Sequence, residues 1–418
     1  MKLFQVEMKN RLVIFFVLMG SYLGFYFSFP LFPTIFLNSN YNFLPESFSP
    51  GFRSVLLGIT YAAYYLGSFI GTPIIGKASD VFGKKKILST TFLLVGLMYL
   101  LSIYAIYLSS LSLLIIFRFL TGFFDGCYPL AYATLLSLEK SKSAKLQNFE
   151  FWTTLTINFG WISGTFVGWN LIAHPSLPIT YLFVPFFCAS IIYLTCFSLI
   201  SIYFFEEKLH TTKKFVFEKS LFFSTINSFR ASSVRSVLIS NTSFYAATSI
   251  FSSYIPIFLM RKYKFEPAVL GTIEMYISIA YCLAPFTYWL YLKYLSRKEI
   301  MCISALGTAI SLISLLTIHM PGSLWIFLML TSYFNALGFS FSSILITEYS
   351  PDENHGEALG TCQALFILIE ASVSFLCGLS AAIWIYLPLI IAITASLFSA
   401  IWILHRLLLH PNQIKFPI

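Results

Sequence analysis

Long apolar runs alternate with short polar stretches from one end of the chain to the other. About twenty apolar residues cross a bilayer as a helix. On that template the chain carries twelve spans, near residues 12–37, 54–76, 87–108, 111–136, 149–172, 180–204, 236–260, 268–292, 300–319, 322–347, 358–383 and 385–409. The connections are short except for Phe205 to Arg235, which is polar and rich in charge. That break leaves six spans on each side. It predicts a first bundle over 1–204, a central loop over 205–235 and a second bundle over 236–418. The expected fold class is an all-α membrane protein: twelve transmembrane helices in two pseudo-symmetric six-helix bundles. Lys2, Lys9 and Arg11 precede the first run as they would in a secretory signal. The run is too long for a signal core and no small-residue cleavage site follows, so it reads as a retained span.

Composition agrees with the pattern. The chain is 58% hydrophobic and 10% charged, where a soluble domain carries about 25% charged residues. The formal charge of +9 raises the question of nucleic acid. The basic residues, however, sit in short loops between spans, where charge orients a membrane protein, so no nucleic-acid partner is expected. Lys77 and Lys84 to Lys86, Lys140 to Lys145, the central loop, and Lys293 to Lys298 all fall on the side of the N-terminal tail. The other side holds Arg53 and the cluster Arg261, Lys262 and Lys264. Both termini are therefore expected in the cytoplasm. The Arg261 cluster reads either as a solvated loop or as a patch that draws anionic solutes. The seven cysteines all lie in apolar runs and none forms a pair at metal or redox spacing. No disulfide framework, metal site or cofactor is predicted, and small buried hydrophobes are the better reading. Abundant Phe, Ile, Lys and Asn fit an AT-rich genome and point to a bacterial inner membrane.

Between the second and third spans stands Gly76 to Lys86, with the sequence Gly-Lys-Ala-Ser-Asp-Val-Phe-Gly-Lys-Lys-Lys. Its spacing at Gly76, Asp80, Gly83, Lys84 and Lys85, and its place after the second span, resemble the signature loop of the major facilitator superfamily. A plain membrane-surface loop accounts for the lysines but not for the Gly/Asp/Gly spacing. The resemblance implies the major facilitator fold and a conformational gate at the cytoplasmic face, with Asp80 close to a helix terminus. The corresponding stretch after span 8, Lys293 to Lys298, lacks the Asp and both Gly and is a degenerate copy. Ser350 to Glu357 carries Asp352, Glu353 and Glu357 on an otherwise basic face. Two readings fit it: a partner for Lys84 to Lys86 across the two halves, or a solvated turn whose acids favour the next helix N-terminus.

Span 4 carries Arg118, Gly122, Asp125 and Gly126, similar to the family's helix 4 motif of an intramembrane Arg followed by Gly. Arg118 and Asp125 fall within about 20° of one helix face and about 10.5 Å apart along it, so a direct pair is marginal. Charges at this depth face a cavity or a partner; the alternative is that Arg118 only ties helices together. Gly122 leaves room on the same face for a ligand or a close helix. Gly160, Gly164 and Gly168 in span 5 resemble the glycine motif of the drug/proton antiporter branch, although Thr165 stands where that branch has Pro. Generic close packing explains the same spacing. Asp125 and Glu370, in opposite halves, are the candidates for proton coupling. Glu274 is a further candidate, near the outer end of span 8, where it can also simply reach the surface. Helix 1 lacks the acid found in the tetracycline/proton antiporters, so coupling is arranged differently here. Tyr26, Trp161, Tyr245, Tyr276 and Asn335 lie in spans that line the cavity in the family, but Phe is spread over every span and composition accounts for the aromatic content.

Two bundles of this kind rock around a substrate held between them. The resemblance implies a secondary active transporter that works by alternating access, a monomer in the lipid bilayer, with a small-molecule substrate and protons as coupling ion. Proton-coupled export of small amphipathic compounds is the leading reading. Uptake or facilitated entry of a nutrient such as an amino acid, sugar or siderophore is the second, and a non-transporting receptor or chaperone on the same scaffold the third. No phosphate-cradling Gly-rich loop and no nucleophile-base pair point to an enzyme.

Overall fold

The computed structural model describes residues 2–37, 43–137, 143–172, 183–206, 232–317, 321–349 and 355–408, and the regular structure among them is helical. In chain order the helices are α1 Lys2–Ser28, α2 Leu31–Leu37, α3 Pro50–Phe82, α4 Lys84–Tyr107, α5 Leu111–Asp125, α6 Cys127–Ser137, α7 Ser143–Ile172 and α8 Val184–Tyr203. After the central loop come α9 Ser232–Tyr263, α10 Pro267–Tyr294, α11 Arg297–Thr317, α12 Pro321–Tyr349, α13 His355–Ile383 and α14 Leu387–Trp402, the last running into a π-helical turn, Ile403–Leu408. Pro30 follows the end of α1, and α1 with α2 makes one crossing, Met8–Leu37. Likewise α5 and α6 are two parts of the crossing Leu111–Leu135, interrupted at Gly126.

Eleven helical stretches among the described residues are long and apolar enough to cross a membrane. Helix α7 coincides with the expected fifth span and is 30 residues long. It carries Asn158 and Asn170 among its glycines. Large apolar side chains such as Phe16, Phe159, Trp289, Ile310 and Ile401 are exposed. Lipid solvates such a surface as readily as a core would.

Two compact units divide the chain. One is Met1–Glu218 with Phe265–Glu274, the other Lys219–Lys264 with Met275–Ile418. In the first unit, backbone lies close to backbone at glycines. A Cβ on Gly160, Gly164 or Gly168 of α7 would come within 2.6, 2.7 and 2.6 Å of the carbonyl oxygens of Met19, Leu23 and Phe27 on α1. Both series step by four residues, so one glycine per turn meets one carbonyl per turn. Gly67 and Gly71 of α3 meet Phe119 and Phe123 of α5 in the same way. In a membrane, such close approach and interhelical hydrogen bonds replace the hydrophobic drive. The second unit relies more on hydroxyls and amides. Ser240 and Ser399 hydroxyls bond at 3.0 Å, Asn241 donates to the Ser342 carbonyl at 3.0 Å, and Ser396 donates to the Ala305 carbonyl at 2.8 Å.

Two junctions differ from the sequence pattern. Arg53, expected as a loop charge, is buried, and its guanidinium donates to the carbonyls of Phe48 at 3.2 Å and Pro45 at 3.0 Å, with longer bonds to Phe36 and Leu44. It ties the end of α2 to the turn before α3 through backbone carbonyls of both. The stretch Gly76 to Lys86, expected as a turn-prone loop, is helical through Phe82 and resumes at Lys84. Gly83 alone breaks it, at φ 92° and ψ 145°, a conformation that only glycine adopts without strain.

Candidate functional site

Helix α5 begins at a Ser110 cap, whose hydroxyl accepts from the Leu113 N–H at 3.5 Å. From there it carries Arg118, Gly122 and Asp125 into the interior of the first unit, all three buried. Gly122 lies directly on the Tyr64 carbonyl of α3. The space that its missing side chain leaves is therefore taken by a helix backbone rather than by a ligand.

Asp125 ends α5, just before the Gly126 break, and only 6% of it is exposed. Hydroxyls from three helices surround its carboxylate. Tyr64 of α3 donates to Oδ2. Tyr193 of α8 donates to Oδ1 at 3.1 Å, and Ser21 of α1 reaches the same oxygen at 3.4 Å. Arg118 is 1% exposed and makes no ion pair or hydrogen bond with Asp125. Its guanidinium carbon sits 4.6 Å from the ring centroids of both Phe32 and Tyr64, and 5.9 Å from that of Phe25. Nε and Nη1 have no acceptor. Opposite charges thus occupy one buried core, each with its own partners: aromatic faces for the cation and hydroxyls for the anion.

Glu370 of α13 lies in the second unit and is partly buried. Tyr245 donates to its Oε1 at 2.9 Å and Ser249 to its Oε2 at 2.8 Å, both from α9. The Tyr245 ring stacks on Phe366 at 4.0 Å. The two acids singled out from the sequence therefore share a chemistry, a carboxylate held by tyrosine and serine hydroxyls, in two different units. Glu274, for which the surface was an open alternative, is buried. Asn335 is buried as well, accepting from Thr308 at 3.0 Å. Tyr26 packs against Trp161, centroid to centroid 5.7 Å.

At the other end of the first unit, Asp80 is exposed on the last turn of α3 while Gly83 is buried. The acid bound at this junction is Glu206, just beyond α8. Its Oε1 accepts from the Lys84 N–H at 2.7 Å and its Oε2 from the Lys85 N–H at 2.8 Å. It caps the N-terminus of α4, where donors lack intrahelical partners. Asn10 fixes the neighbouring residue, donating to the Phe205 carbonyl at 2.7 Å and accepting from the Phe205 N–H at 2.9 Å. Lys9 and Lys85 lie over the Phe205 ring at 5.3 and 5.7 Å. Residues 350–354, with Asp352 and Glu353, lie outside the described residues, as does the side chain of Glu357, so the expected pairing with Lys84 to Lys86 has no geometry here.

Paired helical units with buried charges on intramembrane helices define a multi-pass membrane protein of transporter architecture. The family model described as Major Facilitator Superfamily matches residues 14–294 and 237–416. The chain belongs to that superfamily. Its fold is similar to the crystal structure of the human organic anion transporter MFSD10 (TETRAN), with a TM-score of 0.73 and 15% identity over 95% of this chain and 99% of that one. It is similar also to a D-xylose-proton symporter, with a TM-score of 0.70 and 17% identity over 93% and 96% of the two chains. A third similar structure is the POT family transporter PepTSo, with a TM-score of 0.68 and 14% identity over 94% and 97%. No curated protein matches the sequence. The all-α fold read from the hydropathy pattern is the fold of this family.

Proposed function

We propose that the protein is a proton-coupled secondary transporter that exports small amphipathic compounds by alternating access, with Asp125 the proton-binding group of the first unit and Glu370 that of the second. The observation that carries this reading is Asp125: a carboxylate buried at membrane depth, held among the described residues by hydroxyls, with a cation on the same helix face that does not bond it. Burial penalises its charge and hydroxyls relieve that penalty, and a group balanced in this way gains and loses a proton reversibly. Glu370 repeats the arrangement where the second half of a transport cycle needs it. The spacing of Gly160, Gly164 and Gly168 is compatible with the drug/proton antiporter branch, and their contact with α1 is the close packing that any such glycine series gives. On this reading the signature residues Gly76, Asp80, Gly83, Lys84 and Lys85 gate the cytoplasmic side, joined by Glu206. The protein works as a monomer in a bacterial inner membrane with both termini in the cytoplasm.

The test is accumulation of a labelled panel of drugs and nutrients in cells lacking their own efflux pumps, with and without a protonophore, alongside Asp125→Asn. Lower accumulation that the protonophore abolishes and Asp125→Asn eliminates is the expected result. Accumulation of a nutrient above the control would reverse the direction and make the protein an uptake transporter. Flux indifferent to both the protonophore and Asp125→Asn would end the proton-coupled reading.

A further inference from the structure

Tyr193 has one proton and three oxygens within reach. Its hydroxyl lies 3.1 Å from Asp125 Oδ1, 3.2 Å from the backbone carbonyl of Ser21 and 3.4 Å from the Ser21 hydroxyl, where either atom can donate. It cannot donate to all of them at full strength. The ring that carries it is held on several sides. It is fully buried, packs against Phe92 and Tyr99 with centroids at 5.7 and 5.5 Å, and lies where a Cβ on Gly24 would stand 2.7 Å from its Cε2. The hydroxyl oxygen is therefore fixed, and the freedom left is rotation of its hydrogen, with the carboxylate and the Ser21 carbonyl the two nearest acceptors. Tyr64 differs. Its hydroxyl bonds Asp125 Oδ2, and Gly122 presses on its backbone from the helix that carries Asp125.

We propose that Tyr193 is the positioning residue for proton uptake at Asp125, directing the proton to Oδ1. This deepens the proton-coupled reading above and rests on it. In the ionised state both tyrosines donate to the carboxylate. When Oδ1 takes a proton from solvent, Tyr193 keeps its own proton, turns it to the Ser21 carbonyl and accepts the new Oδ1–H. Tyr64 goes on donating to Oδ2, now the carbonyl oxygen. Protonation at Oδ2 has no equivalent among the described residues, where the Tyr64 hydroxyl bonds Asp125 Oδ2 and no second acceptor. The titratable and charged groups that face Asp125 are Tyr64 from α3, Tyr99 from α4, Arg118 from α5, Cys127 from α6 and Tyr193 from α8, with the Ser21 hydroxyl from α1. Of these, Tyr193 has both the position and the alternative acceptor.

The experiment is a pH titration of the protonated-carboxyl C=O stretch by infrared difference spectroscopy on the reconstituted full-length protein, for wild type, Asp125→Asn, Tyr64→Phe and Tyr193→Phe. Asp125→Asn should remove one band; if no band is lost, Asp125 does not titrate and the proton-coupled reading itself fails. With that band assigned, Tyr64→Phe should move the stretch to higher frequency, because the carbonyl oxygen Oδ2 loses its donor. Tyr193→Phe keeps the Tyr64 bond to Oδ2, so the C=O stretch should stay near that of the wild type, but it removes the acceptor of the Oδ1–H, so the carboxylic O–H stretch should move to higher frequency; an O–H stretch that does not move would remove Tyr193 from the role. The converse pattern, a stretch raised by Tyr193→Phe and unmoved by Tyr64→Phe, would put the proton on Oδ2 and overturn the proposal while leaving Asp125 as the proton site. Each tyrosine variant is informative alone, so failure of one to fold leaves the test in place.

Discussion

Removing Glu206 should loosen the junction between α3 and α4, and the structure sets the scale. Its carboxylate accepts the N–H groups of Lys84 and Lys85 at 2.7 and 2.8 Å, at the start of a 24-residue helix. Hydrogen bonds to a charged partner are worth about 1.5–3 kcal/mol each in buried settings. Glu206 is only partly buried, so water replaces much of what is lost in Glu206→Ala. A capping loss of about 1–2 kcal/mol is the appropriate scale, with a further few tenths from the negative charge beside the helix N-terminus. One to two kcal/mol is roughly a 5- to 30-fold change in an equilibrium. The first turn of α4 should therefore open 5- to 30-fold more often. Amide hydrogen exchange by mass spectrometry, on protein in nanodiscs, reads this directly for the peptide spanning Gly83 to Leu88. Glu206→Gln keeps one acceptor oxygen and should fall between the alanine variant and wild type. Exchange of that peptide unchanged in Glu206→Ala would mean that Glu206 does not cap α4, and its place in the gate would be lost.

Two further outcomes are expected. Gly83→Ala puts a Cβ at φ 92° and 2.9 Å from Glu206 Oε2, so it should cost about 1–3 kcal/mol in backbone strain alone; a lowered thermal midpoint in detergent, with faster exchange at the same junction, is the check. Gly164→Val drives a side chain into the Leu23 carbonyl, whose oxygen lies 2.7 Å from the added Cβ. Overpacking of this kind costs about 1–3 kcal/mol, and an unshifted unfolding midpoint would show that α1 and α7 do not need their close approach.

Hydropathy made the spans legible because the need to satisfy every backbone group inside a bilayer acts residue by residue along the chain. The same holds for Gly76 to Lys86, whose spacing is local, and for the rarity of charge at membrane depth, which picked out Arg118, Asp125 and Glu370. Gly160, Gly164 and Gly168 could be read as a packing face because a helical repeat of four is written in the order of residues. Their partner could not: the carbonyls of Met19, Leu23 and Phe27 carry no side-chain signal. The turn-prone reading of Gly76 to Phe82 missed because Lys77 and Ala78 are good helix formers, and the cost of Gly76, about 1 kcal/mol, does not stop a helix already in progress.

What surrounds the charges came only with the tertiary structure. Tyr64 and Tyr193 are two of 25 tyrosines, and nothing in their own neighbourhoods marks them. They matter because α3 and α8 converge on the end of α5. Glu206 lies 122 residues from Lys84, and only the packed unit brings an acid after one helix to the donors that begin another. The pairing expected of Arg118 was left open by helix geometry. Its answer, three aromatic rings around a guanidinium whose Nε and Nη1 have no acceptor among the described residues, depends on α1, α2 and α3 all facing that point. By itself the sequence determined that the chain is helical, crosses the membrane repeatedly and carries charge inside it, because burial and hydropathy act locally. Only the tertiary structure decided which hydroxyls hold Asp125 and which acid caps α4, because a hydrogen bond between distant residues depends on ångström-scale placement that no local pattern encodes.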